Sequence, residues 1–117
     1  VQLFDPYKVT IHHSPGHTPG SVCIYTKLND GLLFCGDSAV GAPYDGDTQY
    51  FERPPIHMQL KDKGLAEFWT NFDLPFAHLL PLHGRPEFNI SPDRATEIYS
   101  ILTRKEATLW EKRGQRQ

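Results

Sequence analysis

Three polar residues with the chemistry of metal ligands stand at the ends of apolar runs in this 117-residue chain. His17 lies just before one run, Asp37 lies just after the next, and His83 follows a later one. Imidazole nitrogen and carboxylate oxygen are donor types that zinc and similar ions accept. If the runs are neighbouring strands, the three side chains gather along one edge of a sheet. Taken singly, each residue also has an ordinary explanation, as a turn residue or a surface histidine.

The stretch SPGHTPGS, residues 14–21, holds His17 between two Pro-Gly pairs. A turn needs proline and glycine only once. Stiffening the backbone on both sides of one imidazole indicates that the direction of the ring matters, as it does for a metal ligand or a catalytic base. A solvated loop histidine is the alternative that the octapeptide alone leaves open.

Apolar runs alternate with polar loops along the chain, and this pattern predicts the strands and helices that carry the three residues. We predict four strands, over residues 8–13, 22–25, 32–35 and 76–82. The Asp30-Gly31 pair predicts a hairpin between the second and third strands. Two helices are predicted, over residues 58–72 and 92–113. The second begins with Ser91 as its N-cap and Pro92 at the first helical position.

The strands at 22–25 and 32–35 are apolar on both faces, so they show no alternation between polar and apolar residues. Such strands are typical of a sheet that is covered on both faces. The predicted fold class is therefore α+β, with one mixed sheet and both helices on a single face. We expect the second face to need a cover from elsewhere, either a complementary segment or another copy of the chain.

The polar loop at residues 39–55 starts beside Asp37 and contains several aromatic and charged residues. It predicts either a wall of a substrate pocket or a loose surface segment. Arg85, which follows His83 and Gly84, is a candidate contact for an anionic substrate, although a surface role fits this arginine better.

Composition narrows the class of protein. A chain of this length is one domain, residues 1–117, and its net charge of −2 provides no general attraction to nucleic acid or acidic lipid. No apolar run approaches the about 18 residues of a membrane span, and no leader-like segment opens the chain. Cys23 and Cys35 lie in apolar runs, which favours buried free thiols and a cytoplasmic location. We expect no nucleic-acid or membrane partner.

The motifs PGHTPGS, FCGDS and LLPLHG occur in that order along the chain. Together they resemble the second half of the metallo-β-lactamase superfamily, whose fold is a four-layer sandwich of two sheets between helices. The resemblance covers nearly the whole chain and implies half of that sandwich. It also implies roles: His17 binds a first metal, Asp37 bridges two metals and acts in catalysis, and His83 binds the second metal.

The cofactors implied by this resemblance are two zinc ions, with iron or manganese as alternatives. A hydroxide held between two such ions attacks an ester, thioester, lactone or similar bond of a small-molecule substrate. The expected function is therefore a metal-dependent hydrolase.

The first-half signature of that superfamily, His-x-His-x-Asp-His, is absent from the chain. We therefore expect a C-terminal half, which is a fragment, one piece of a split protein or a reduced descendant. It should bind metal weakly and be inactive alone, because zinc sites normally take three or four protein ligands. On a strand, the adjacent rings of His12 and His13 point to opposite faces. His57 and His78 fit a surface and a core position.

Two other functions stay open at this point. One is a non-catalytic half-domain that binds a partner through its uncovered sheet face. The other is an iron-dependent redox enzyme on the same scaffold, since the ligand set does not separate zinc from iron. Retention of all three ligand residues, His17, Asp37 and His83, argues against a pure interaction module, which has no need for His17 or Asp37.

Overall fold

The computed structural model describes residues 2–4, 9–54 and 62–104. The elements in these ranges are, in chain order, β1 (Gln2–Phe4), β2 (Val9–His13), β3 (Val22–Thr26), β4 (Leu32–Gly36), β5 (Val40–Gly41), β6 (Phe51–Glu52), α1 (Asp62–Asn71), β7 (His78–Pro81) and α2 (Pro92–Leu102). A short 3-10 turn, Leu28–Asp30, connects β3 to β4. The hairpin predicted at this point is confirmed.

Five strands form one mixed sheet in the order β1-β2-β3-β4-β7. Successive strands from β1 to β4 are antiparallel, whereas β7 pairs parallel with β4. A parallel pair needs a long crossover, and the segment between β4 and β7 carries β5, β6 and α1. The mixed sheet expected from the sequence is confirmed, and β5 and β6 form a separate two-stranded ribbon.

Both helices pack on one face of the sheet. The core that joins them contains buried side chains from three strands, from both helices and from the residue directly after α1: Cys23, Tyr25, Leu33, Cys35, Leu79, Leu65, Trp69, Phe72, Ile98 and Leu102. Burial of each large apolar side chain contributes about 1.5–3 kcal/mol relative to exposure. This one-sided core confirms the predicted α+β arrangement.

The opposite face of the sheet is apolar and open to solvent. Val22 is 40% exposed, Ile24 38% and Phe34 43%, while their neighbours along the same strands are buried. Apolar residues thus occupy both faces of β3 and β4, and only one face is covered by the described residues. That the second face needs a cover stays a prediction.

The two helices are shorter than predicted within the described residues. The α2 helix begins as expected, because Ser91 Oγ accepts a hydrogen bond from Arg94 N at 3.1 Å. It ends at Leu102 rather than at residue 113, since the buried Arg53 guanidinium donates to the carbonyls of Leu102 and Arg104, at 3.0 and 2.8 Å. Such bonds satisfy the last carbonyls of a helix.

The first helix ends at Asn71, one residue before the predicted end. The predicted helical segments 58–61 and 105–113 lie outside the described residues, whereas Thr103 and Arg104, which follow α2, are described and are not helical.

Both cysteines are buried and free, as the sequence indicated. Burial raises the pKa of Cys23 and raises that of Cys35 well above its usual value, so both thiols stay protonated at neutral pH. In the described part of the chain, no helix has the length and apolar character needed to cross a membrane. The cytoplasmic location stays a prediction.

Candidate functional site

Three chain segments end at the same edge of the sheet. The parallel strands β4 and β7 both run towards this edge, where Gly36 is paired with Pro81 and Leu82 N donates to Gly36 O at 2.9 Å. The loop between the antiparallel strands β2 and β3 turns at the same edge. The residue after β4, Asp37, therefore lies beside the residues that follow β7.

The structure brings His17, Asp37 and His83 together at this edge. His83 Nδ1 lies 2.7 Å from Asp37 Oδ1, and His17 Nε2 lies 3.4 Å from Asp37 Oδ2. One carboxylate therefore faces two imidazoles, one at each oxygen. The Asp37 side chain is 20% exposed, whereas that of His83 is 67% exposed. Their role as metal ligands stays a prediction.

The loop that carries His17 is closed at its base by hydrogen bonds. Ser14 N donates to Ser21 O at 2.8 Å, and His13 Nε2 donates to Pro19 O at 2.6 Å. These bonds, together with the two Pro-Gly pairs, fix the course of the backbone on both sides of the imidazole. His13 thus holds the loop closed.

Two buried hydroxyls connect this loop to the one that carries Asp37. Ser14 Oγ lies 2.7 Å from Ser38 Oγ, and both side chains are fully buried. Trp69 in α1 donates its indole N–H to Ser38 O at 2.8 Å. Sequence reasoning missed this connection, because nothing in the spacing of two serines 24 residues apart indicates that they meet.

The backbone of His83 is held against β5. Gly41 N donates to His83 O at 3.0 Å, and Arg85 N donates to Ala42 O at 2.9 Å. Gly84 has a φ of +86°, and a Cβ atom there would lie 2.1 Å from Gly41 O. Only glycine fits such a position without displacing the neighbouring strand.

The loop at residues 39–54 is pinned next to His83. Arg85 donates from Nη2 to Thr48 O at 2.8 Å, while Gln49 donates from Nε2 to Arg85 O, also at 2.8 Å. Arg94 reaches Gln49 O at 3.0 Å. These contacts connect the loop to the segment after His83 and give Arg85 a structural contact. The role of this loop as a pocket wall stays a prediction.

The other histidines in the described ranges, His12, His13 and His78, lie outside the cluster. The rings of His12 and His13 point to opposite faces, as predicted: His12 packs edge-on against Phe72, with ring centroids 5.4 Å apart, and burial lowers its pKa. His78 is half-buried, and its Nδ1 accepts a hydrogen bond from Asn89 N at 3.2 Å. His57 lies outside the described residues.

The cluster has metal-ligand chemistry but is incomplete as a metal site. Within residues 2–4, 9–54 and 62–104, no group of three or more His, Cys, Asp or Glu side chains is arranged to hold a metal ion by itself. His17 Nδ1 is buried without a hydrogen-bond partner among these residues. A ligating histidine ordinarily donates this second nitrogen to a carboxylate, carbonyl or water. The imidazole and carboxylate groups are donor types that a metal ion accepts, but the cluster offers fewer donors than a complete metal site needs.

Comparison with known proteins identifies hydrolases as relatives. The chain is 34% identical over 86 residues to a hydroxyacylglutathione hydrolase of Pseudomonas aeruginosa, covering 73% of this chain and 32% of the relative. A second such hydrolase, from Pseudomonas paraeruginosa, is 30% identical over 106 residues, or 85% of this chain and 40% of the relative. An acyl-coenzyme A thioesterase of Gallus gallus is 32% identical over 66 residues, 51% of this chain and 24% of the relative.

These similarities are distant and partial. The chain spans about a third of the length of the first curated relatives that it matches, the hydrolases of Pseudomonas aeruginosa. No protein-family model and no solved structure matches it. Both kinds of relative are members of the metallo-β-lactamase superfamily, which agrees with the resemblance carried by the three motifs.

We expect Gly84→Ala to displace His83 from Asp37 and to destabilise the fold. The added Cβ would overlap Gly41 O, and alanine would be strained at the positive φ; strain of this kind costs about 1–3 kcal/mol. Urea unfolding measures the loss of stability. The matched control is Gly20→Ala in the His17 loop, where a Cβ would meet nothing within 4 Å. Equal stability of the two variants would contradict the close packing of Gly41 on Gly84.

Proposed function

We propose that this chain is part of a metal-dependent hydrolase of the metallo-β-lactamase superfamily and forms half of its four-layer sandwich. The single observation that carries the proposal is the convergence of His17, Asp37 and His83 at one sheet edge, from positions 20 and 46 residues apart. The one-sided core, the mixed sheet and the partial similarity to two kinds of hydrolase support it.

In this proposal the three residues supply the chain's share of a two-metal site. Asp37 offers one oxygen towards each imidazole, so it would contribute to holding both ions, and His17 and His83 would each hold one. Zinc ions bound there would generate a hydroxide nucleophile at neutral pH and stabilise the negative charge that develops on the attacked group. The hydrogen bonds around the His17 loop and the packing of Gly41 on Gly84 keep the donors in place.

The proposed substrates are small molecules that carry an acyl group on a thiol sulfur. The names of the relatives support this class, since a hydroxyacylglutathione and an acyl-coenzyme A are both thioesters. Esters and lactones are attacked by the same nucleophile and are the alternatives. Hydrolysis rates with a matched thioester and oxygen ester separate these classes in the complete enzyme.

The proposed partner is a complementary half-sandwich that covers the open sheet face. Val22, Ile24 and Phe34 would be buried by it, and its side chains would complete the metal site. An exposed apolar face of this kind marks an interaction surface on a soluble protein. A second copy of the chain is the alternative occupant.

A non-catalytic interaction module is the second candidate function. The open apolar face favours it, as does the incomplete donor set of the described residues. The two candidates differ in one property: the hydrolase needs the Asp37 carboxylate for metal binding, whereas the interaction module does not.

Asp37→Asn should abolish zinc binding by the chain, because the amide keeps the shape of the side chain but removes its charge. Isothermal titration calorimetry measures this, with weak binding expected for the unchanged chain. Asp93→Asn, in the exposed first turn of α2, is the control and should bind zinc as before. Equal zinc affinity with and without the Asp37 carboxylate would remove the metal role from the proposal.

We expect the purified chain to self-associate or to bind a hydrophobic dye through the open sheet face. Phe34→Glu should reduce both, because it places a charge in the middle of the apolar surface. Light scattering and dye fluorescence measure the two effects. Leu28→Glu is the matched control, since Leu28 is 49% exposed but lies on the connecting turn. A compact monomer at micromolar concentration that binds no dye would contradict the half-sandwich.

A further inference from the structure

A pair of buried serine hydroxyls joins the loop of His17 to the loop of Asp37. Ser14 lies three residues before His17, and Ser38 directly follows Asp37. Both serine side chains are 0% exposed, and their Oγ atoms lie 2.7 Å apart. The Cys23 thiol donates to Ser14 Oγ at 3.6 Å from the core side. The two hydroxyls thus form a direct side-chain link between the candidate ligand loops.

Each serine is anchored separately through its own backbone. Ser14 N donates to Ser21 O at 2.8 Å, which closes the His17 loop. Ser38 N donates to Cys35 O at 2.9 Å, and Ser38 O accepts the bond from Trp69 in α1. The hydrogen bond between the two hydroxyls therefore joins two loop backbones that are each fixed by other bonds. Its 2.7 Å length limits the distance between the two loops.

Fold stability gives little reason for two hydroxyls at this place. When both partners of a buried hydrogen bond are replaced by apolar groups of similar shape, stability changes little or even rises. Alanine at both positions would fill most of the same space inside the core. A role beyond stability is needed to explain the pair.

We infer that Ser14 and Ser38 are positioning residues that set the distance between His17 and Asp37, an inference that rests on the proposed metal site. His83 reaches Asp37 by another route, through the parallel pairing of β4 with β7. Loss of the serine pair should therefore disturb the contact of His17 with Asp37, which measures 3.4 Å, and leave the 2.7 Å contact of His83 intact.

The double variant Ser14→Ala/Ser38→Ala of the full chain tests this inference. Its midpoint of urea unfolding should stay close to that of the unchanged chain, whereas its affinity for Co²⁺, followed by visible absorption, should fall about tenfold or more. Ser100→Ala, an exposed serine of α2, is the control and should leave both properties unchanged. An unchanged Co²⁺ affinity in the double variant would overturn the inference.

A second readout needs no metal. In NMR spectra of the metal-free chain, the ring signals of His17 should shift in the double variant, while those of His83 keep their positions. If the unchanged chain binds no Co²⁺, the proposed metal role fails, and these ring signals alone decide the positioning role. Unshifted His17 signals would then overturn it.

Should the double variant not fold, Ser14→Ala alone provides the same comparison, because it breaks the link between the loops while the Ser38 hydroxyl keeps a partner in the Cys23 thiol. Shifted His17 signals beside unshifted His83 signals would support the positioning role. Equal shifts at both rings would overturn it, since they indicate a general disturbance of the site.

Discussion

The parallel pairing of β4 with β7 is the constraint on which the site depends. It aligns Leu33 with Leu79 in the core and Gly36 with Pro81 at the sheet edge. Since parallel strands end at the same edge, the residues that follow them become neighbours although they are 46 positions apart in the sequence. The 2.7 Å contact between Asp37 and His83 follows from this pairing. The helices contribute to the site indirectly, because they bury the sheet face on which Leu33 of β4 and Leu79 of β7 pack.

The third member of the cluster is held in a different way. His17 lies on a loop, so its position depends on local hydrogen bonds rather than on strand pairing. The loop must be closed at its base and fixed relative to Asp37, and the buried serine pair meets the second requirement. At this edge, the contact of His83 with Asp37 is therefore set by strand pairing, whereas the contact of His17 with Asp37 is set by hydrogen bonds between loops. The open apolar face lies on the same strands, so a partner that covers it would also lie close to this edge.

Much of this arrangement could be predicted from local sequence patterns. The Pro-Gly pairs around His17, the hairpin before β4 and the N-cap of α2 each depend on neighbouring residues. The early end of α2 could not be predicted, because it depends on Arg53, which lies 49 residues before Leu102. The serine pair and the contact of Gly41 with Gly84 were missed for the same reason: each joins distant segments through atoms whose spacing has no periodic signal.

The central claim is that His17, Asp37 and His83 form this chain's share of a metal site. Anomalous X-ray diffraction at the zinc edge, from crystals of the zinc-loaded chain alone or with its partner, tests it most directly. We expect a peak at about 2 Å from an oxygen of Asp37 and from a ring nitrogen of His17 or His83. Zinc bound only at other residues, with Asp37 left in contact with two free imidazoles, would contradict it.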